Sequence, residues 1–303
     1  MKIKLVMEWL DVCSGCEISF LDIHEKILEL LDKIEIVYCP VLMDVKNYPE
    51  HADIALISGS VSNEKDEKLV KKLREIADMV IAFGTCACFG GVQGLANLYT
   101  AEEILKKVYM ETAGVDNPEG IFPHKHIPKL LDSSLPLNRV IEVDYMLPGC
   151  PPPPELIFKT LTALVEGKKP QLPLKSVCDE CPLKKENKRL ENLKRWYESS
   201  SGINPEKCLL EQGFLCLGPA TRGGCGAKCP SALVPCRGCM GPTAKSLDQA
   251  ADMIGAIASI IEAEPEAILK AIADPVGMFY RFTLPASISG ELVEAYKKAR
   301  KKR

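Results

Sequence analysis

Met79–Phe83 reads MVIAF and runs directly into GTCACFGG, Gly84–Gly91. An unbroken apolar run with no polar alternation is the pattern of a strand covered on both faces, as in parallel sheets. The glycine and cysteines that follow at once put metal-ligating side chains at the carboxyl end of that strand. Outward from this point, Ile3–Met7 reads as a first buried strand and Ile34–Leu42 as a second. Asp53–Ser58 (DIALIS) reads as a third, and Arg139–Val143 as a fifth, following MVIAF. Between them, Ile18–Leu31 carries Ile23, Ile27, Leu30 and Leu31 on a helical period, and Asp66–Ala77 is a charged amphipathic helix. Short apolar strands separated by helices predict an α/β fold, a flavodoxin-like doubly wound parallel sheet.

Fourteen cysteines in 303 residues are the second signal. Cys13 and Cys16 lie just after the first strand, Cys86 just after MVIAF, and Cys150 just past the fifth strand. Open α/β sheets place their ligands at the carboxyl ends of the strands, so segments far apart in sequence are expected to bring these four thiols to one spot. Gly15, Gly84, Gly90, Gly91 and Gly149 allow close approach of backbone to a bulky inorganic group, and Pro148 with Pro151–Pro154 stiffens the loop that delivers Cys150. Four thiolates are the ligand count of a tetrahedral zinc or of a cubane iron–sulfur cluster.

From about Lys175 strand–helix alternation stops. Cys178, Cys181, Cys208, Cys216, Cys225, Cys229, Cys236 and Cys239 crowd into one stretch, whose later part, Cys216–Pro242, is rich in glycine. Eight thiols allow two further four-thiol sites, and a segment this poor in apolar residues is expected to be organised by metal. Two Cys-x2-Cys pairs also suit zinc knuckles, which keeps zinc as the alternative here. After Pro242 the chain returns to helix over Ser246–Ala263 and Glu264–Ala273. Three units follow: residues 1–170 as the sheet domain, 171–245 as an irregular cysteine-rich domain, and 246–303 as a helical tail.

A disulfide framework fits poorly, because Met1–Leu10 (MKIKLVMEWL) has no signal-peptide pattern and 47% hydrophobic residues can bury a sizeable core unaided. A net charge of −3 gives no basic footprint for nucleic acid, and the run Lys297–Arg303 reads as a solvated helix end. Nothing approaches the roughly 20 apolar residues that span a bilayer. Cys39, in an apolar strand, and Cys88 read as small buried hydrophobes, and His24, His51, His124 and His126 have no ligand pattern.

WLDVCSGCE (Trp9–Glu17), GTCACFGG (Gly84–Gly91) and LPGCPPPPE (Leu147–Glu155) together resemble the proximal-cluster motifs of [NiFe]-hydrogenase small subunits. The likeness extends through the second cysteine segment and is nearest to the cytoplasmic methanogen branch, F420-non-reducing and methyl-viologen-reducing, whose electrons go to heterodisulfide reductase. The resemblance implies three [4Fe–4S] clusters. Cys13, Cys16, Cys86 and Cys150 would hold the proximal cluster, Cys178, Cys181, Cys208 and Cys216 the distal one, and Cys225, Cys229, Cys236 and Cys239 the medial one. Membrane-associated relatives carry histidine where this chain has Cys178 and often lack the cysteine found here as Cys229. The resemblance therefore implies no [3Fe–4S] cluster, and a thiolate in place of histidine tends to lower the distal potential.

It also implies partners: a large subunit holding the nickel, an electron-accepting iron–sulfur subunit and heterodisulfide reductase, with no nucleic acid and no membrane. The face beside the proximal site is expected to be apolar and covered by the large subunit in an obligate heterodimer. The missing twin-arginine leader is read as a cytoplasmic location. The F420-reducing small subunit shares these motifs, whereas the cluster subunit of respiratory complex I resembles only the first half. Glu17, directly after Cys16, either compensates a helix N-terminus or relays protons beside the proximal cluster.

Overall fold

In the computed structural model, which describes residues 2–186, 189–198 and 202–301, the apolar runs of the first half form one parallel sheet. In chain order its domain comprises β1 (Ile3–Trp9), α1 (Gly15–Leu21), α2 (Ile27–Leu31), β2 (Ile34–Tyr38), β3 (Ala52–Ser58), β4 (Val61–Asn63) and α3 (Glu64–Ile76). It continues with β5 (Ala77–Phe83), α4 (Gly84–Phe89), α5 (Ala101–Lys106), β6 (Leu130–Leu135), β7 (Tyr145–Leu147) and α6 (Pro154–Val165). The five-stranded order is β2-β1-β3-β5-β7, with every neighbouring pair parallel. That is the flavodoxin-type order, with its topological switch between β1 and β3. β4 and β6 form a small antiparallel pair alongside.

Side-chain alternation gives the sheet two buried faces. Leu5, Met7, Ile54, Leu56, Ile81, Phe83 and Leu147 point to the face covered by Phe20, Ile23, Leu30, Ile157 and Leu161 from α1, α2, α6 and their linker. Val6, Ala55, Ile57, Val80 and Ala82 point to the other, where Val70 and Leu73 of α3 and Ala87 of α4 close the core. Helices α1 and α2 are too short to persist alone in water, so tertiary packing holds them. Asn63 caps α3, its side chain accepting from the amides of Lys65 and Asp66.

Register sets the level of the strand ends. Trp9 pairs with Ser58, Ser58 with Phe83, and Phe83 with Leu147. The loops leaving β1, β5 and β7 therefore start side by side.

Three expectations are corrected. Arg139–Val143 is not a strand: the chain makes a 3-10 turn at Leu137–Arg139, and Leu137, Val140, Ile141 and Val143 pack on the second face as a loop. The fifth strand is Tyr145–Leu147 instead. The second strand stops at Tyr38 before Cys39–Pro40, where proline removes a ladder donor. The single helix expected over Ile18–Leu31 breaks into α1 and α2 around a 3-10 turn, His24–Lys26, with His24 at φ 57°.

The second half is less bare than its composition suggests. After the short α7 (Lys228–Ser231) come α8 (Gln249–Ala258), α9 (Pro265–Ala271), α10 (Pro275–Phe279) and α11 (Ile288–Lys301). Ala250, Met253, Ile257 and Phe279 from these helices pack with Leu190, Leu193, Leu215 and Leu217, giving the cysteine-rich segment an aliphatic cluster. Met240 reaches the core of the sheet domain, and Lys297 of α11 donates to the carbonyls of Asp132 (2.6 Å) and Tyr99 (3.2 Å). No helix among the described residues is long and apolar enough to cross a membrane.

Asp144 fixes the start of β7 against β5. Its carboxylate accepts from the Val80 amide at 2.7 Å and from the Arg74 guanidinium at 2.5 Å. Burial pushes this carboxyl up, but the Val80 amide and Arg74 outweigh it and hold it below the ordinary range. A depressed folded-state pKa contributes stability above the unfolded value, about 3.9, and loses it as pH falls through the folded value. Asp144→Asn should cost about 1 kcal/mol at neutral pH, modest because the pair is partly exposed. In thermal melts the gap to wild type should shrink as pH is lowered through about 4.

Candidate functional site

Cys13 lies in the loop after β1, Cys16 in the first turn of α1, Cys86 in α4 directly after β5, and Cys150 three residues past β7. The level strand ends bring them together: Cys16 feels the charge of Cys86, Cys150 and Cys13. Cys16 and Cys86 are buried, whereas Cys13 and Cys150 face outward. Trp9, Ile18 and Leu21, in the segment that carries Cys13 and Cys16, stand exposed at 40%, 58% and 41%.

Two glycines clear the space these thiols need. Gly84 has φ +83°, and a Cβ there would collide with Cys16 Sγ. Gly91 has φ +66°, and a Cβ there would come within 2.5 Å of Cys86 Sγ. Both positions combine a left-handed backbone with close approach, which only glycine meets without strain.

The remaining eight thiols lie close to one another in the cysteine-rich half. Cys178 lies near Cys216, Cys208 and Cys181. A cavity of about 250 Å³ is lined by Cys178, Cys208 and Cys216, with Leu190, Leu210 and Ile260 as apolar wall and Lys185 and Arg189 at its edge. Cys239 lies near Cys225 and Cys229, and Cys236 lies near both Cys216 and Cys239. The groups also touch one another. The Cys236 amide donates to Cys216 Sγ at 3.2 Å, and the Cys150 backbone lies beside the Cys239 thiol.

None of the fourteen cysteines is in a disulfide. Burial pushes three of these thiols well up, and neighbouring thiols add to the shift: Cys150 and Cys178 each to about 12, the latter opposed by Lys185, and Cys239 to about 11. Such thiols stay protonated at neutral pH until a cationic centre displaces the protons. Among the described residues no three Cys, His, Asp or Glu side chains are gathered for a single ion. Cys13, Cys16, Cys86 and Cys150, with backbone cleared around the sulfurs of Cys16 and Cys86, would suit a cubane, whose four irons each take one thiolate and so spread the ligands apart.

Glu17 is 5% exposed in the first turn of α1. Its Oε1 accepts from the Ser58 hydroxyl, and its buried Oε2 has no hydrogen-bond partner. Cys39 and Cys88 are packed in the two faces of the sheet core, and all four histidines are exposed.

Sequence reasoning missed three residues. Gln93 sits 3.4 Å from Cys86 Sγ and donates to the Asp11 carbonyl at 2.6 Å. Glu180, inside Cys178-x2-Cys181, accepts from the amides of Gly224 (2.6 Å) and Gly226 (2.9 Å), which flank Cys225. The third is Thr85, whose hydroxyl donates to the Cys239 carbonyl. The only local signal was a polar side chain within or just after a ligand loop.

Residues 13–164 match the family described as NADH ubiquinone oxidoreductase, 20 Kd subunit. Over 286 residues the chain is 49% identical to a subunit of the vhu F420-non-reducing hydrogenase of Methanocaldococcus jannaschii, covering 94% of this chain and 96% of that one. Among solved structures it is similar to a chain of an NAD+-reducing [NiFe]-hydrogenase in the H2-reduced state, at TM-score 0.54 and 34% identity, over 57% of this chain and 96% of that one. A chain of the [NiFeSe] hydrogenase from Desulfovibrio vulgaris Hildenborough shares the fold, at TM-score 0.51 and 19% identity, over 81% of this chain and 95% of that one.

Proposed function

Since the chain belongs to the iron–sulfur small-subunit family of [NiFe]-hydrogenases, we propose that it carries electrons from hydrogen oxidation at a nickel–iron large subunit through three [4Fe–4S] clusters to a partner. The reading is that of an oxidoreductase subunit whose nickel site lies on another chain. Bound clusters supply one-electron carriage, and this chain's residues hold and space them. Cys13, Cys16, Cys86 and Cys150 are the proposed proximal ligands. Cys225, Cys229, Cys236 and Cys239 are the medial ones, and Cys178, Cys181, Cys208 and Cys216 the distal ones.

The observation that carries this reading is the order in which the three thiol groups touch. Cys239 of the proposed medial set meets Cys150, and Cys236 of the same set meets Cys216. On the proposed partition the medial set would lie between the other two, as a wire requires. The exposed Trp9, Ile18 and Leu21, in the segment that carries Cys13 and Cys16, suit burial against the large subunit. On this reading electrons leave from the distal site, whose cavity is lined by Lys185, Arg189 and Glu211 beside its thiols. We place the complex in the cytoplasm with heterodisulfide reductase as the physiological sink. The F420-non-reducing name of the relative that matches 94% of the chain favours this over an F420-reducing enzyme.

Hydrogen cleavage also releases protons, and we assign Glu17 as a relay beside the proximal cluster. Its burial and its unpartnered Oε2 suit that role better than charge compensation at a helix end. Glu17→Gln should slow hydrogen oxidation by about 100-fold, the lower end of what a positioned proton-transfer group contributes, at unchanged iron content. Unchanged oxidation and proton–deuterium exchange would assign Glu17 to the helix end alone.

The division of labour between inner and outer clusters gives the sharper test. Cys178→Ser or Cys216→Ser should abolish reduction of the physiological acceptor, exceeding the roughly 10–100-fold cost of losing an outer-shell partner. Hydrogen–deuterium exchange, completed at the nickel without net electron transfer, should persist, and Cys39→Ala should leave both near wild type. Full acceptor reduction by Cys178→Ser protein would refute the distal assignment.

A further inference from the structure

Thr85 is 1% exposed and sits where three ligand-bearing segments meet. Its amide donates to the Gly149 carbonyl at 2.9 Å, and its hydroxyl accepts from the Gly149 amide at 3.0 Å. The same hydroxyl donates across 154 residues of sequence to the carbonyl of Cys239. Cys86 follows Thr85 and Cys150 follows Gly149, so one side chain ties the loops of two proposed proximal ligands to the backbone of a proposed medial one.

A threonine hydroxyl has one proton to donate and lone pairs to accept with, and both capacities are used here. Buried backbone groups demand partners, so the Gly149 amide and the Cys239 carbonyl hold Thr85 as firmly as it holds them. Beside this clamp the Cys150 backbone lies next to the Cys239 thiol. Electron tunnelling falls off faster across empty gaps than through bonded contacts, so the rate between the two sites depends on keeping this seam closed.

Resting on the three-cluster reading, we propose that Thr85 is a positioning residue that sets the electronic contact between the proximal and medial clusters by clamping Cys239 against the Cys86 and Cys150 loops. It touches neither nickel nor substrate. Its effect is confined to the hand-over between the first two carriers.

The test uses the complete complex with its large subunit, comparing wild type, Thr85→Val and Thr85→Ser. Valine keeps the shape and removes the hydroxyl; serine keeps the hydroxyl. Iron content and the signal of the reduced proximal cluster report integrity. Magnetic coupling between reduced proximal and medial clusters, read by electron paramagnetic resonance, and the rate at which medial reduction appears after rapid mixing with hydrogen report the seam. Thr85→Val is expected to weaken the coupling and slow medial reduction at full iron content, and Thr85→Ser to restore both. Wild-type coupling and rate in Thr85→Val would overturn the proposal. If the valine variant does not assemble, Thr85→Ala against Thr85→Ser carries the same contrast, and equal coupling in those two overturns it. A wild-type complex without coupled clusters would instead overturn the three-cluster reading on which the proposal rests.

Discussion

The arrangement depends on four parallel strands ending at one level. Trp9, Ser58, Phe83 and Leu147 are linked in register across β1, β3, β5 and β7, so the loops that follow open onto a common edge. Parallel hydrogen bonding fixes that level, because a slip by one residue would turn every buried side chain to the opposite face. With Leu5, Leu56, Ile81 and Phe83 essentially inaccessible to solvent, such a slip would expose the core. The cost of moving the strands is thereby the constraint that keeps Cys13, Cys16, Cys86 and Cys150 together. The loops themselves need only glycine where the chain passes close to sulfur, as at Gly84 and Gly91.

The cysteine-rich half is fixed to this edge by polar contacts as well as by packing. Met240 enters the sheet core, Thr85 holds the Cys239 carbonyl, and Glu180 secures the loop around Cys225 by accepting two amides. An aliphatic cluster under Leu190, Leu215 and Leu217, completed by Met253 and Ile257 of α8, gives the segment a core of its own. The tail helix α11 then returns to the sheet domain through Lys297 and the Arg139–Glu291 pair. Hydrogen bonds and packing together tie the cysteine-rich half to the sheet edge.

Much of this was legible in the sequence because it rests on strong local signals. MVIAF and DIALIS are strands on any reading of periodicity, and a cysteine directly after a buried parallel strand belongs to a ligand edge. The fifth strand was misplaced because Arg139–Val143 has the composition of a strand, while Tyr145–Leu147 is only three residues long and owes its pairing to β5. The partition of the later eight cysteines was not legible from spacing, since two Cys-x2-Cys pairs combine with the others in several ways; family resemblance suggested one, which stands here as a proposal. Thr85, Gln93 and Glu180 were invisible because their partners are backbone groups or sulfurs brought near only by the fold.

The central claim is that this chain carries three all-cysteine cubanes in a row. Its most direct test is elemental analysis of this chain with its large subunit, purified anaerobically free of other iron–sulfur subunits, together with Mössbauer spectroscopy of the iron it holds. Three cubanes require about twelve cluster irons and as many acid-labile sulfides per small subunit, all in [4Fe–4S] form and with no [3Fe–4S] signal on oxidation. Stoichiometric zinc with iron for only one cluster would contradict it.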